Sequence, residues 1–175
     1  DMTFFAAVDD AFLGRGIERA FSRVVYVAPG VGKATAEALV RAIDREPLSV
    51  TIILDSDEDA YRIGYGDASA LATLHEATAK QGIPLRRQPG LRIGILIVDD
   101  EAVSWAPTAR LVEQERTAEQ PNAVVLSGAT AEKLGAAVGA EGSPVLPNDA
   151  EIGKEPMRPE ETAKAVANLK ANPPA

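Results

Sequence analysis

The segment LRIGILIVDDEAVSW, residues 91–105, constrains the fold more than any other part of the chain. Residues 93–98 are apolar or glycine with no polar alternation, which predicts a strand that is covered on both faces at the centre of a sheet. Asp99 and Asp100 then predict a turn, and residues 101–105 predict a second strand that pairs with the first. A buried hairpin of this kind needs other elements packed on both sides, which favours an α/β domain.

The rest of the first 115 residues alternates strand and helix patterns. The β-branched run VVYV, residues 24–27, ends at Pro29-Gly30 and predicts a strand, and apolar residues at helical spacing predict a helix from Lys33 that is stopped by Pro47. The other predicted elements are the end of a helix within residues 15–21, a strand at 49–54, a long loop at 55–67, a helix at 68–81 and a short strand at 83–86. This order is typical of the α/β class.

Beyond Glu113 the character of the sequence changes. The predicted elements there are a strand at 123–126, a helix at 129–138, an extended connector rich in glycine and proline at 139–159, and a last helix at 159–172. We therefore divide the chain into one domain, residues 1–115, and a C-terminal extension, residues 116–175. The ending Asn-Pro-Pro-Ala is typical of a linker, so we expect the chain to continue into a longer protein.

The formal net charge of −8 disfavours nucleic acid as a partner, because phosphate backbones repel an acidic chain unless a local basic patch compensates. Arg86 and Arg87, with Arg92 nearby, form the one basic cluster, and we interpret it as a solvated loop rim. The lack of cysteine excludes a thiolate nucleophile and cysteine zinc sites, and a single histidine excludes the usual multi-histidine metal cluster. No cofactor and no metal are expected.

The apolar runs are much shorter than the roughly 20 residues that a membrane span needs. The start of the sequence, DMTFFAAVDDAF, has no basic segment followed by an apolar one, so it shows no secretory signal. We therefore expect a cytoplasmic protein that does not enter a membrane.

The segment VVYVAPGVGKAT suggests a phosphate-binding P-loop, with ILIVDDE as an acidic strand end for magnesium. Such a loop wraps phosphates with successive backbone N–H groups and places a hydroxyl directly after its lysine. Val27 stands where the first glycine is needed, and Ala34 stands where the hydroxyl is needed. The sequence favours a plain Pro-Gly turn between a strand and a helix, and ATP binding stays an alternative.

The segment QGIPLRRQPGLRIGILIVDDEAVSWAPT, together with the order of elements from about Arg15 to Arg110, resembles the phospholipase D-like family. In that family a helix ends in Gly-Ile or Gly-Val, a short strand carries an arginine, and the next strand holds a His-x-Lys-x4-Asp motif followed by a hairpin strand and a Gly-Ser turn. The histidine attacks phosphorus, the histidine of a second copy is the general acid, and the lysines hold phosphate. The resemblance implies a mixed α/β sheet with flanking helices.

On this chain the resemblance places the histidine position at Arg92, the lysine position at Gly94 and the aspartate position at Asp99, with the Gly-Ser turn near residues 106–108. An arginine stays protonated and cannot attack phosphorus, and a glycine offers no side chain to a phosphate. Asp99 has no base to orient, so we interpret it as a strand-end carboxylate that accepts hydrogen bonds from the following turn. No residue is therefore assigned a catalytic role.

His75 and an acidic run are the remaining candidates for chemistry. His75 lies on the predicted helix 68–81, where we interpret it as an exposed or half-buried helical residue and not as a replacement nucleophile. The carboxylates of the acidic run are numerous enough for calcium or magnesium, but the run lacks the central glycine and terminal glutamate of an EF-hand, and we interpret it as a solvated loop. The run consists of Asp55, Asp57, Glu58 and Asp59.

These residues favour a catalytically inactive phospholipase D-like domain that acts as a structural, interaction or regulatory module of a larger protein. Two alternatives stay open: a phosphodiesterase or nuclease half-domain with an intact second motif elsewhere, and a P-loop-like nucleotide-binding domain. Single-copy members of the family pair two motifs across a dimer, so the resemblance also implies a possible homodimer. The sequence does not name the protein partner.

Overall fold

The protein is described from a computed structural model, and the structure describes residues 3–55, 57–114, 116–140 and 149–171. The strands are β1 (Phe5–Ala6), β2 (Arg23–Ala28), β3 (Ser49–Leu54), β4 (Leu85–Arg87), β5 (Gly94–Val98), β6 (Glu101–Trp105), β7 (Ala123–Leu126) and β8 (Glu155–Pro156). The helices are α1 (Asp10–Glu18), α2 (Lys33–Ile43), α3 (Glu58–Arg62), α4 (Ala68–Lys80), α5 (Gly128–Ala137) and α6 (Pro159–Ala171).

The strands form one sheet in the order β1-β7-β6-β5-β2-β3-β4-β8. Strands β2, β3 and β4 are parallel, whereas β5, β6, β7 and β1 extend the sheet from β2 by antiparallel pairing, and β8 adds antiparallel to β4. The sheet is therefore mixed and has flanking helices, which confirms the predicted fold class. The hairpin of β5 and β6 lies inside the sheet, because β5 pairs with β2 and β6 pairs with β7.

Alternate residues of the central strands enter two different cores. Tyr26 and Leu96 point to the face where α1, α2 and α4 pack, which we call the helical face. Ile53 and Ile97 point to the opposite face, where α5 packs. Both Ile53 and Ile97 are 0% exposed, as expected for strands that are covered on both sides.

The central strand is shorter than the sequence predicted. It begins at Gly94, and Ile93 is 51% exposed, so the expectation that residues 93–98 are all covered is wrong at this end. Val98 is half-buried at the other end. An apolar pattern alone does not locate the edge of a sheet, which explains the error.

Other boundaries differ from the predictions by a few residues. Helix α1 ends at Glu18, the short fourth strand runs one residue past Arg86, and the predicted loop at 55–67 contains α3, which Asp57 caps by accepting a hydrogen bond from the Asp59 N–H. The predicted connector contains β8, and its residues 141–148 lie outside the described residues. The last helix is described to Ala171, so its predicted end at 172 also lies outside them.

The interpretation of the basic cluster as a solvated rim is wrong. Arg86 is 3% exposed, and it donates from Nε to the Gly153 carbonyl and from Nη2 to the Val138 carbonyl, both at 2.6 Å. Its burial lowers the pKa of the Arg86 guanidinium. Arg87 forms an ion pair with Glu161 at 3.6 Å. The two arginines therefore connect β4 to later parts of the chain.

Residues on both sides of position 115 contribute to the same sheet. Strand β7 pairs with β6, and β8 pairs with β4. Helix α5 packs beside β6, and α6 packs against α3 and α4. No helix in the described residues is both long enough and apolar enough to cross a membrane.

Candidate functional site

The motif positions fall at two opposite edges of the sheet. Because β5 runs antiparallel to β2, with Ile95 opposite Val27, the start of β5 lies beside the carboxyl end of β2. Arg92 and Gly94 therefore lie together at this edge. Asp99 follows the other end of β5 and lies beside the start of β2. The chain does not bring the three positions into one site.

Arg92 is bound in an ion pair with a buried carboxylate. Its Nη1 donates to Oδ2 of Asp55 at 2.8 Å, and its guanidinium carbon lies 5.1 Å from the ring centroid of Tyr65. The Asp55 side chain is 0% exposed and also accepts hydrogen bonds from the N–H groups of Asp57 at 2.9 Å and Gly90 at 3.1 Å. Arg92 thus neutralises a charge that would be costly to leave unpaired, and it holds the loop before β5 against the end of β3.

The indole of Trp105 lies over Gly94. The two residues are direct partners in the β5–β6 hairpin, and an ideal Cβ at Gly94 would lie 2.1 Å from Cε2 of Trp105. Trp105 is 7% exposed and packs against Tyr26, with ring centroids 6.0 Å apart. A lysine side chain at position 94 would have to pass through the space that the indole fills, so the structure leaves no room for one there.

A pocket of only about 80 Å³ remains at this edge. Its wall includes Tyr26, Tyr65 and Thr108, so the segment expected near the Gly-Ser turn does reach the pocket. The Tyr26 hydroxyl donates to the Gly30 carbonyl at 2.7 Å. Burial, with a smaller contribution from the Asp10 carboxylate, raises the pKa of Tyr26 far above its ordinary value, so its hydroxyl stays neutral. The Tyr26 side chain therefore provides no base in this pocket.

The N-terminus of α2, where a P-loop would hold phosphate, is occupied by the carboxylate of Asp10. Asp10 accepts hydrogen bonds from the Ala34 N–H at 2.8 Å, the Thr35 N–H at 3.0 Å and the Thr35 hydroxyl at 2.7 Å. These are the donors that a helix start offers to an anion. An internal carboxylate therefore takes the place of a bound phosphate.

Asp99 holds the segment before β2. Its carboxylate accepts hydrogen bonds from the N–H groups of Phe21 at 3.0 Å, Ser22 at 2.7 Å and Arg23 at 3.2 Å, and from the Ser22 hydroxyl at 2.9 Å. Burial acts to raise the pKa of Asp99, but the hydrogen bonds from Ser22, Arg23 and Phe21 outweigh it, and the pKa is lowered. Asp99 is thus a strand-end carboxylate that binds backbone N–H groups, although they belong to the segment before β2 and not to the following turn.

His75 lies on α4 beneath α6. It is 9% exposed, so it is more buried than the sequence indicated, and its Nδ1 lies 2.5 Å from the Thr162 hydroxyl. Burial lowers the pKa of His75, against a smaller opposing effect of Glu161 and Glu160. The imidazole therefore connects two helices and does not reach the pocket beside Trp105.

The acidic run is divided by the fold. Asp55 is buried in the ion pair with Arg92, whereas Asp57 caps the start of α3 and Asp59 is exposed on that helix. No group of three or more histidine, cysteine or carboxylate residues in the described ranges is placed to hold a metal ion. The structure therefore does not bring the run together.

Sequence reasoning missed Asp10 and Trp105. A turn at Asp99 and Asp100 places Gly94 and Trp105 at equal distances from the hairpin end, so the register could have paired the glycine with the indole. Asp10 gave no comparable signal, because its partners on α2 lie 24 and 25 residues away and the contact depends on how two helices pack.

No protein-family model matches the chain, and a comparison with curated proteins found no match. Among solved structures, the chain is similar to Nuc from Salmonella typhimurium, a phospholipase D family member, with 21% identity and a TM-score of 0.48 over 69% of this chain and 78% of that chain. It is also similar to TrmBL2, an archaeal chromatin protein, with 15% identity and a TM-score of 0.46 over 73% of this chain and 46% of that one. Both TM-scores are below 0.5, so the fold class stated above rests on the strand order.

Proposed function

We propose that this chain is a phospholipase D-like domain that has lost its phosphodiesterase site and acts as a structural, interaction or regulatory module of a larger protein. The observation that carries the proposal is the Trp105 indole over Gly94, 2.1 Å from where a Cβ would stand. A phosphodiester needs a cationic cradle at this position, and an apolar ring fills the space instead.

The state of Arg92 supports the same conclusion. A nucleophile needs a lone pair, and a guanidinium that stays protonated has none to give. Its charge is also compensated, because Nη1 lies 2.8 Å from a carboxylate oxygen of the buried Asp55. Moving Arg92 toward a phosphate would leave that carboxylate unpaired, at a cost that a weak anion contact does not offset.

The nucleotide-binding alternative receives no support from the geometry. The α2 N-terminus already donates to Asp10, and Asp99, the acid that would hold magnesium, lies at the opposite edge of the sheet. A P-loop needs both features at the same edge.

The test is hydrolysis of bis-p-nitrophenyl phosphate and of single-stranded DNA, for which we expect background rates. The double variant Arg92→His, Gly94→Lys should also be inactive, because a partner histidine and a phosphate-binding turn are still missing. Turnover that disappears on changing Asp99→Asn or His75→Gln would contradict the proposal, since it would assign chemistry to a residue whose contacts are structural.

The homodimer implied by the family resemblance stays part of the proposal. Sedimentation velocity across a range of concentrations measures it directly. A species that remains monomeric at high concentration would remove the dimer from the proposal without affecting the lost active site.

A further inference from the structure

The helical face of the sheet is covered over only part of its width. Helices α1, α2 and α4 pack over β5, β2, β3 and β4, and α1 is the outermost of them. On this face Val103, Trp105 and Ala123 of β6 and β7 are still buried, at 7%, 7% and 4% exposure, whereas Phe4 and Val125 are exposed. The uncovered strip of this face is therefore narrow, and Phe4 and Val125 are its exposed side chains.

The uncovered strip and α1 together form an apolar groove of about 760 Å³. Its floor is the register row of Leu96, Val103 and Val125, which are neighbours on β5, β6 and β7 and are 3%, 7% and 43% exposed. Its walls carry Phe4 at 57% exposure and Phe21 at 87% exposure. Large apolar side chains that are exposed together beside a groove are typical of a surface that binds a partner.

Phe21 is held in place and is not part of a loose loop end. The N–H groups of Phe21, Ser22 and Arg23 all donate to the Asp99 carboxylate, at 3.0, 2.7 and 3.2 Å. The backbone that carries this exposed ring therefore needs no ordering when a partner binds.

The rim of the groove is acidic at one end. Asp99, Asp100 and Glu101 line it there, with Arg19 of α1 as the cation in the same lining. A second copy of the chain would bring a further net charge of −8, and two such surfaces repel. A basic segment is attracted to the same rim, and an amphipathic helix would present an apolar stripe to the floor and cations to the carboxylates.

We propose that this groove binds a basic amphipathic helix of another protein. The helix lies beside α1, with its apolar face on the exposed side chains of Phe4, Phe21 and Val125 and its cationic residues at Asp100 and Glu101. This inference rests on the proposed function, because it names the class of partner for the interaction module.

Two pairs of adjacent residues provide matched variants. Val125 lies in the groove and Val124 points to the opposite face of β7, and each is 43% exposed. Phe4 lies in the groove at 57% exposure, and Phe5, the register partner of Val124, is 66% exposed. In each pair, the same substitution can therefore be made inside and outside the groove at similar exposure.

The probe is a fluorescent helical peptide of about 18 residues with leucines along one face and lysines along the other. We expect Val125→Asp to weaken its binding at least about tenfold, because the new carboxylate would face the apolar stripe, and we expect Val124→Asp to leave it unchanged. A peptide with glutamates in place of the lysines should bind at least about tenfold more weakly, and added salt should weaken the lysine peptide. If Val125→Asp does not fold, Phe4→Ser against Phe5→Ser makes the same comparison.

Three results would overturn the inference: no binding of the lysine peptide, equal effects of the two valine variants, or equal affinity for the two peptides. A dimer of the parent chain that Val125→Asp dissociates would also overturn it, because a second copy would then occupy the groove. The proposed function is tested separately, because phosphodiester hydrolysis would contradict it in an assay that contains no peptide.

Discussion

Replacing Gly94 with alanine tests how tightly the Trp105 indole packs over β5. The new Cβ would lie 2.1 Å from Cε2 of Trp105, far inside the 3.5–4.0 Å of an ordinary carbon contact. Overpacking of this kind costs about 1–3 kcal/mol, and alanine recovers about 0.5–1 kcal/mol of the penalty of a glycine in a strand. Because the contact is with a rigid ring beside Tyr26, we expect an overpacking cost in the upper part of this range. The free energy of unfolding should therefore fall by about 1–2 kcal/mol.

The same change in a Trp105→Leu background gives a double-mutant cycle. Without the indole, Gly94→Ala should be neutral or slightly stabilising, because only the gain in strand propensity remains. Urea unfolding at an unchanged m-value measures both effects as shifts of the midpoint. Gly128→Ala is the control, since its Cβ would meet only the Asp100 carbonyl at 3.4 Å. If Gly94→Ala lowers the midpoint equally in both backgrounds, or in neither, the indole does not fill the space above Gly94 and the steric argument fails.

Three further predictions concern the core, the α2 N-terminus and the α4–α6 contact. Ile97→Ala should lower the free energy of unfolding by about 2–5 kcal/mol, whereas Ile93→Ala should change it little; equal midpoints in urea would refute the central position of β5. Magnesium ATP should give no specific rise in Tm. A ligand that bound at a hundredfold excess over Kd would raise the free energy of unfolding by about 2.7 kcal/mol. A clear rise in Tm would show that phosphate displaces Asp10 from the α2 N-terminus. Since burial lowers the pKa of His75 in the folded chain below its ordinary 6.5, the unfolded chain binds more protons as the pH falls below 6.5, so stability should fall there. His75→Gln should flatten this part of the stability–pH curve, and an unchanged slope would refute the assignment.

Local patterns predicted most of the elements. Strands β3 and β6 match the predicted residues 49–54 and 101–105, because a continuous run of β-branched residues and a hairpin turn each mark their own ends. The turn also shows its local cause, since Asp99 adopts a φ of 58°, a conformation that aspartate tolerates better than most residues. Gly82 has a φ of 67° and ends α4 as predicted.

Contacts between distant segments could not be predicted in this way. The partners of Arg86 lie 52 and 67 residues along the chain, so its sequence neighbours gave no sign that it is buried. The same holds for His75, whose burial depends on α6, 87 residues away at Thr162. For Ile93 the local pattern was misleading. It continues the apolar run, but it lies just before Gly94, where the pairing of β5 begins, and it is exposed. The groove beside α1 depends on which strands the helices leave uncovered, a property of the whole sheet.

Three aspartates hold loops at the two opposite edges of the sheet. Asp10 accepts from the donors of the α2 N-terminus, Asp55 accepts from Arg92 and two loop N–H groups, and Asp99 accepts from three N–H groups at the start of β2. Each carboxylate therefore satisfies backbone or side-chain donors and fixes a loop by doing so. An anion that bound at one of these places would have to displace the carboxylate that is there. An apolar partner on the helical face would displace none of them, so binding at the groove leaves the loops that shape it intact.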